Sequence, residues 1–529
     1  MNDPRSGART AVALVATALT LCTGLRAARA QDPAPEGTPS DVPGAEAPPP
    51  SPSSPPPAPP PPVSTQRLPP AERPPAEAEA VPPETSSWFD RAPFTLSTGK
   101  GDQKWSLTFY GFVEADYIAD TTRSYNDSIG SALVARNDTY DGTVGRTQFS
   151  MRNTRLGLAF QSPTVGGVKP SAIIEGDFFG SQTAPPDGSE QTFYNSPTFR
   201  IRHAYVKLED AYVDVIAGQT YDVFGWQNYF FPASVEFLGL PNMVFSRNTQ
   251  LRLSHTFGAD GPISLDVAVE AARPAQRDGQ IPDVEGGLRL AVNGWKGITT
   301  PGNVRTIAMP LSIGVSAISR SFKVDAFTPP PTQTSNTVKG WGVSVDALVP
   351  VIPAADANDR GNRLTLTGSF VTGTGIADLL TTGGGATFPT LPNSAQQSPP
   401  PTYDPDIDAG LVTFDSLGVA HTINWLAFKA GLQYYLPPTG RLILSANYTE
   451  SRSNNLKQLF PPGSSMIELV GQVADRSRYG DVNLFFDATP AVRIGVSGQY
   501  TQVHYLSNAS QPEQQPHNIR GMGQVVYVF

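Results

Sequence analysis

The chain has almost no cysteine. Its 529 residues contain one, Cys22, and that residue falls in what reads as a leader. The remainder can therefore form no disulfide, no Cys–zinc site and no cysteine nucleophile. Histidine is also scarce, with five in all, and neither G-x-S-x-G nor H-E-x-x-H occurs. A hydrolase needs a nucleophile held against a base, so no enzyme, cofactor or metal is expected. Asp404-Pro405-Asp406-Ile407-Asp408 is acidic, but its proline and missing distal Glu depart from a calcium loop; it reads as a solvated acidic loop. Charged residues make up 16% of the chain, and 38 basic against 47 acidic residues leave a net charge of -9. That balance argues against a nucleic-acid partner, which would require a basic footprint. No run of about 20 apolar residues follows residue 30, so no spanning helix is expected.

Proline and glycine are abundant, at 53 and 48 residues. Residues 1–30 read as a signal peptide: Arg5 and Arg9 are the basic start, Ala11 to Cys22 is a short apolar core, and Ala28-Arg29-Ala30 is a cleavage site. A lipidated Cys22 is the competing reading, and Leu21 opposes it. Residues 31–87 form a Pro-rich tether, with 21 prolines between 32 and 83. Such a segment can neither donate ladder hydrogen bonds nor bury a core, so it is extended or disordered. Full extension reaches on the order of 160 Å. It serves either as a passive linker or as a reach across a periplasm towards peptidoglycan.

From residue 88 to 529 the pattern becomes period-two. In β-type alternation, Trp105, Leu107, Phe109, Val113, Ala115 and Tyr117 share one face, and Ser106, Thr108, Tyr110, Glu114 and Asp116 share the other. Sixteen such segments occur, near 105–119, 146–160, 168–180, 198–209, 211–220, 247–258, 261–272, 283–295, 308–319, 337–350, 361–373, 422–436, 440–452, 476–488, 491–505 and 519–529. Connections after even-numbered segments are short, as at Glu209-Asp210 and Thr489-Pro490. Those after odd-numbered segments are mostly long. A soluble sandwich has no reason to obey this parity, whereas a transmembrane antiparallel β-barrel does. Closure satisfies every backbone donor and acceptor in hydrocarbon. The expected fold is therefore an all-β barrel of about sixteen strands in the outer membrane of a Gram-negative cell. An even strand number leaves the tether in the periplasm. Val525, Tyr527 and Phe529 share one face of the last segment, and a terminal Phe on such a strand resembles the signal read by the barrel assembly machinery.

If the apolar faces meet lipid, the neighbouring residues meet water. Arg155, Arg200, Arg202, Arg252 and Arg289 then point inward, because a charge on the lipid face costs about 2–4 kcal/mol at mid-depth. Phe199, Ile201 and Tyr205 are assigned outward, as are His203 and His255. An arginine ladder in a narrow aqueous pore favours anions. The alternative is that the arginines pair with Glu114, Asp116, Glu175 and Asp177 and stabilise the wall. Segment 221–246, with Tyr221, Asp222, Phe224, Trp226 and Phe237, is too aromatic for an ordinary exposed loop. It folds into the barrel and narrows it, or serves as a subunit contact or cap.

Several segments resemble the DcaP-like outer-membrane porins. They are Phe109-Tyr110-Gly111-Phe112-Val113-Glu114-Ala115-Asp116, Gly145-Arg146-Thr147 with Arg155-Leu156-Gly157, and Ile174-Glu175-Gly176-Asp177-Phe178. Arg200-Ile201-Arg202-His203-Ala204-Tyr205, Ala217-Gly218-Gln219-Thr220 and Pro232-Ala233-Ser234-Val235-Glu236-Phe237-Leu238-Gly239 complete the set. The likeness covers about 105–257. It implies a trimeric sixteen-stranded porin with a constricting third outer loop and a preference for small anions such as dicarboxylates. It also implies luminal roles for Arg155, Arg200, Arg202, Arg247 and Arg252. Some members begin with a coiled coil, whereas this chain has Pro-rich sequence there. The rival reading is a structural or adhesive barrel, anchored to the envelope by the tether.

Overall fold

The computed structural model describes residues 94–100, 103–130, 133–183, 188–236, 239–276, 279–300, 306–325, 335–381, 407–415, 419–459, 473–507 and 511–529. The signal peptide, the tether and Phe237 lie outside the described residues.

Sixteen strands form the barrel. They are β1 (Trp105–Asp120), β2 (Arg146–Ser150 continuing as Arg155–Gln161), β3 (Lys169–Asp177), β4 (Arg200–Glu209), β5 (Asp214–Tyr221), β6 (Arg247–Phe257), β7 (Ile263–Ala272) and β8 (Asp283–Thr299). Then follow β9 (Ile307–Asp325), β10 (Ser335–Ile352), β11 (Arg363–Thr374), β12 (Asn424–Tyr435), β13 (Leu442–Ser453), β14 (Ala474–Asp487), β15 (Val492–Tyr505) and β16 (His517–Val528). Each strand pairs antiparallel with its chain neighbour. The barrel closes where β16 pairs with β1, from Phe112↔Val528 to Asp120↔Arg520. A short strand, Phe94–Thr98, pairs with the lower end of β1. Among the described residues no helix is long and apolar enough to cross a membrane.

The barrel is apolar outside and polar inside. Phe109, Val113, Leu251, Leu253, Leu288, Leu290, Ile313, Val482 and Val525 are exposed, whereas their chain neighbours Glu114, Arg252, Arg289 and Asp481 are buried. A soluble barrel has the opposite arrangement. Here the outer face suits hydrocarbon, and closure leaves no strand edge unpaired in it.

The register shifts at several points, among them Val292/Lys296, Pro350/Ile352 and Ala474/Arg476, and two such irregularities change the alternation beside the predicted arginines. Between Ser150 and Arg155, four residues of β2 oppose three of β1, since Asp116 pairs with Ser150 but Phe112 pairs with Arg155. The extra residue shifts the phase, which puts Arg155 on the same face as Phe112. The second lies in β4, where Glu175 pairs with His203 and Gly176 with Ile201, leaving Arg202 as the extra residue. Phe199 and Ile201 face outward, as the alternation predicts. Beyond the bulge the prediction fails. Val206 and Leu208 are the exposed residues, so His203 and Tyr205 face the lumen. Composition carries no sign of a bulge, so a strict period of two could not show this.

Candidate functional site

The two bulges gather basic side chains on one luminal wall. Arg200 holds Asp177 with both ends of its guanidinium, Nε to Oδ1 at 2.9 Å and Nη2 to Oδ2 at 2.6 Å. Arg202 is buried and reaches Glu175 at 3.1 Å, Asp177 at 2.9 Å and the Tyr221 hydroxyl at 3.2 Å. Arg155 lies 3.5 Å from Glu175, which also accepts from the Tyr110 hydroxyl at 3.1 Å. Arg247 sits over the rings of Tyr221 and Phe245, at 5.7 and 5.2 Å. It has no ion-pair partner among the described residues, and its buried Nη1 has no hydrogen-bond partner. Three guanidinium groups thus share two carboxylates and Arg247 pairs with neither, so this group of six side chains carries two positive charges in excess. His203 borders the cluster, 3.1 Å from Thr220 Oγ1 and 3.9 Å from Glu175.

The other predicted luminal residues are placed differently. Arg252 is buried against Glu270 at 2.8 Å, and Arg289 against Asp266 at 2.6 Å while lying over the Tyr229 ring at 3.7 Å. Each is matched by a carboxylate and adds no net charge. Glu114 accepts from Asn153 at 3.0 Å and Gln524 at 2.7 Å. Asp116 is buried on the same luminal face.

The segment between β5 and β6 crosses the lumen. Phe224 N–H donates to Glu285 Oε2 at 2.6 Å, and the Trp226 indole donates to the Val315 carbonyl at 3.2 Å. Further on, Lys429 of β12 donates to the Phe230 carbonyl at 2.7 Å. Ser445 and Asn447 of β13 donate to the Ala233 carbonyl at 2.6 and 2.9 Å. Ser234 donates to Asp481 of β14 at 2.6 Å. Ala233 and Val235 pack in one cluster with Tyr435, Ile443, Phe485 and Met522. Tyr221 and Asp222 stand at the start of this segment, with Asp222 held by Asn248 at 2.7 Å. Phe224 and Trp226, which looked misplaced in a loop, are thus buried against β8 and β9, and Ala233, Ser234 and Val235 reach the opposite wall.

Two more loops fold inward to meet it. In the loop after β1, Ile129 N–H donates to Glu236 at 3.1 Å. The loop after β11 runs beside 242–245, with Phe245 N–H on the Leu379 carbonyl and Thr381 N–H on the Met243 carbonyl. Burial pushes the Glu236 carboxyl up to about 7. Arg520, 3.5 Å away, offsets this only in part, because its Nε and Nη2 already serve Asp120 at 2.8 and 2.9 Å.

No family model matches the chain, and no curated protein matches it. Solved structures do. The outer membrane channel DcaP of Acinetobacter baumannii aligns over 82% of this chain and 100% of its own, with 17% identity and a TM-score of 0.55. The chain shares its fold with DcaP. An anion-selective porin from Comamonas acidovorans aligns over 80% of this chain and 100% of its own at 10% identity, with a TM-score of 0.44. OmpT of Vibrio cholerae, in a trimer form, aligns over 80% and 99% at 11% identity, with a TM-score of 0.43.

Sequence reasoning missed His203, which the bulge turns inward, and Tyr110, which shares Glu175. It also missed the polar residues of β12 to β14 that hold the crossing loop. Ser445, Asn447 and Asp481 do fall on the polar face of alternating strands, and that was the available signal.

Proposed function

We propose that this chain is an outer-membrane diffusion channel for small hydrophilic solutes, with a preference for anions such as dicarboxylates. The observation that carries the reading is the excess of two positive charges on the wall of β2, β3, β4 and β6, where Arg247 makes no ion pair among the described residues. A guanidinium in a low-dielectric constriction attracts a carboxylate strongly and can hold it bidentately. The crossing loop confines solutes to what it leaves open, which brings them near those charges. The fold shared with DcaP supports the channel reading. On this reading the barrel lies in lipid of a Gram-negative outer membrane with the tether in the periplasm. The barrel assembly machinery inserts it, three copies associate, and the tether reaches towards peptidoglycan.

The test is single-channel conductance of the refolded protein in a planar bilayer under a KCl gradient. Steps in triplets with a reversal potential on the anion side are expected. A cation-side reversal would overturn the anion preference. A folded barrel that does not conduct would favour the second reading, a structural or adhesive barrel, for which the inward packing of three loops is the supporting observation.

A further inference from the structure

A second group of arginines lies on the outside of the barrel. Ser451 and Thr449 of β13 point inward, to Asn242 and to the Pro241 carbonyl, so Glu450 and Arg452 point outward. On β14, Ser477, Tyr479 and Asp481 are buried inward, so Arg476 and Arg478 point outward. Arg452 and Arg476 are directly opposed in the strand pairing, as are Glu450 and Arg478. The lower pair is satisfied: Arg478 Nε lies 3.1 Å from Glu450, which also accepts from Tyr448 at 2.8 Å. The upper pair is not. Neither Arg452 nor Arg476 has an ion-pair partner among the described residues, and the buried Nε of Arg476 has no hydrogen-bond partner. Lys457 is exposed on the short helix that follows. Two acids lie near this group, Asp475 and Glu513, and both are engaged by His504, the strand partner of Arg476.

Like charges directly opposed on neighbouring strands repel each other. An anion bridging them removes that cost. Their depth identifies the anion. Arg452 follows Tyr448 by four residues on the same face, roughly 13 Å along the strand. Tyr448, Phe428 and Tyr500 are exposed on this outer wall, and aromatic residues on the outside of such barrels gather at the edge of the hydrocarbon. The β13–β14 connection is one of the long loops, so this edge belongs to the leaflet facing away from the tether.

We propose that Arg452 and Arg476, with Lys457 beside them, bind a phosphate on the headgroup of an outer-leaflet lipid. Two guanidinium groups on adjacent strands offer parallel N–H donors that match phosphate geometry, and basic groups at this level attract anionic headgroups. The inference depends on the outer-membrane location and not on whether the barrel conducts.

The test uses the full-length protein in detergent, with bis-phosphorylated lipid A and dephosphorylated lipid A as probes, read by native mass spectrometry. The wild type is expected to retain the phosphorylated form and release the other. The R452Q/R476Q variant should bind the phosphorylated form at least about ten-fold more weakly, with R452K/R476K in between. Heat-modifiability on a gel establishes that each variant is folded, and the single variants carry the test if the double variant does not fold. Equal retention of both lipids, or unchanged retention by R452Q/R476Q, would overturn the proposal. So would a variant whose subunits separate while lipid A retention stays the same, since this face would then be a subunit contact.

Discussion

The ring of Phe529 stacks on the ring of Phe109, with centroids 5.1 Å apart and planes at 26°. The last residue of the chain thereby packs on the first barrel strand. Its backbone pairs with Gly111 in both directions, at 3.2 and 3.1 Å. Gly111 has φ +156, and a Cβ there would lie 2.2 Å from the Arg155 carbonyl oxygen and 3.0 Å from the Phe529 ring. Only glycine lets the three strands approach this closely. We predict that Phe529→Ala lowers stability by about 1–2 kcal/mol, from a lost aromatic pair and lost burial. Urea unfolding in detergent micelles measures this. A larger loss of inserted protein in cells than of refolding yield in vitro would show that Phe529 is also read during assembly.

Arg202 and Arg247 face the same lumen but should respond differently to removal. Arg202→Ala strips the buried Asp177 and Glu175 of a shared partner. Breaking a buried pair this way costs about 3–5 kcal/mol, so a marked drop in thermal stability is expected. Arg247→Ala leaves no carboxylate unpaired and forfeits only ring contacts, worth about 1 kcal/mol. Its anion-to-cation permeability ratio should nevertheless fall by roughly two-fold or more. Reversal potentials and melting curves on the two variants separate the effects. An Arg247→Ala channel with wild-type selectivity would remove the basis of the anion reading.

These two residues also show how far the sequence could be read. Alternation and loop parity predicted all sixteen strands. That much was legible because lipid enforces a strict two-residue period on every strand. Arg155, Arg200 and Arg202 lie on the luminal side, although the period itself fails beside each bulge. His203 and Tyr205 were misassigned for that reason, since one extra residue inverts everything after it. Pair partners were hidden too. Asp177 reaches Arg200 and Arg202 only through strand register, and no local spacing encodes register.

Glu236 makes the docked loop sensitive to pH. Its carboxyl titrates at about 7 when the loop is docked, against about 4.3 for a glutamate in water. The raised value means that docking favours the protonated form. That contribution is fully present below the ordinary value and is lost as pH rises through about 7. The loop should therefore sit more firmly at pH 5 than at pH 8, and open-channel noise or conductance should rise across that interval. Glu236→Gln mimics the neutral acid and should give a flat profile. A variant that keeps the wild-type pH response would place the sensitive group elsewhere.

The crossing loop depends on β13 as well as on its own apolar residues. Ser445 and Asn447 both donate to the Ala233 carbonyl, and Asn447 also donates to Asp481 at 2.8 Å. Asp481 in turn accepts from Ser234 of the loop. Asn447 thus ties the loop to the carboxylate that holds the next loop residue. Replacing both donors, as Ser445→Ala with Asn447→Ala, removes these three hydrogen bonds at about 0.5–1.5 kcal/mol each, together with the 3.4 Å bond from Asn447 to Ser445. All of these bonds lie in the lumen, where water can take over the freed groups once the loop lifts. The barrel strands keep their ladder bonds, so the melting temperature should change little. The loop should detach more often, and single-channel current should become larger and noisier. Cross-linking a cysteine at Ser234 to one at Asp481 should restore the quiet current, because these two side chains already face each other, with Ser234 Oγ 2.6 Å from Asp481 Oδ2. If the current is unchanged in the double variant, the apolar packing of Ala233 and Val235 and the remaining bonds to Lys429, Asp481 and Asn483 hold the loop without Ser445 and Asn447.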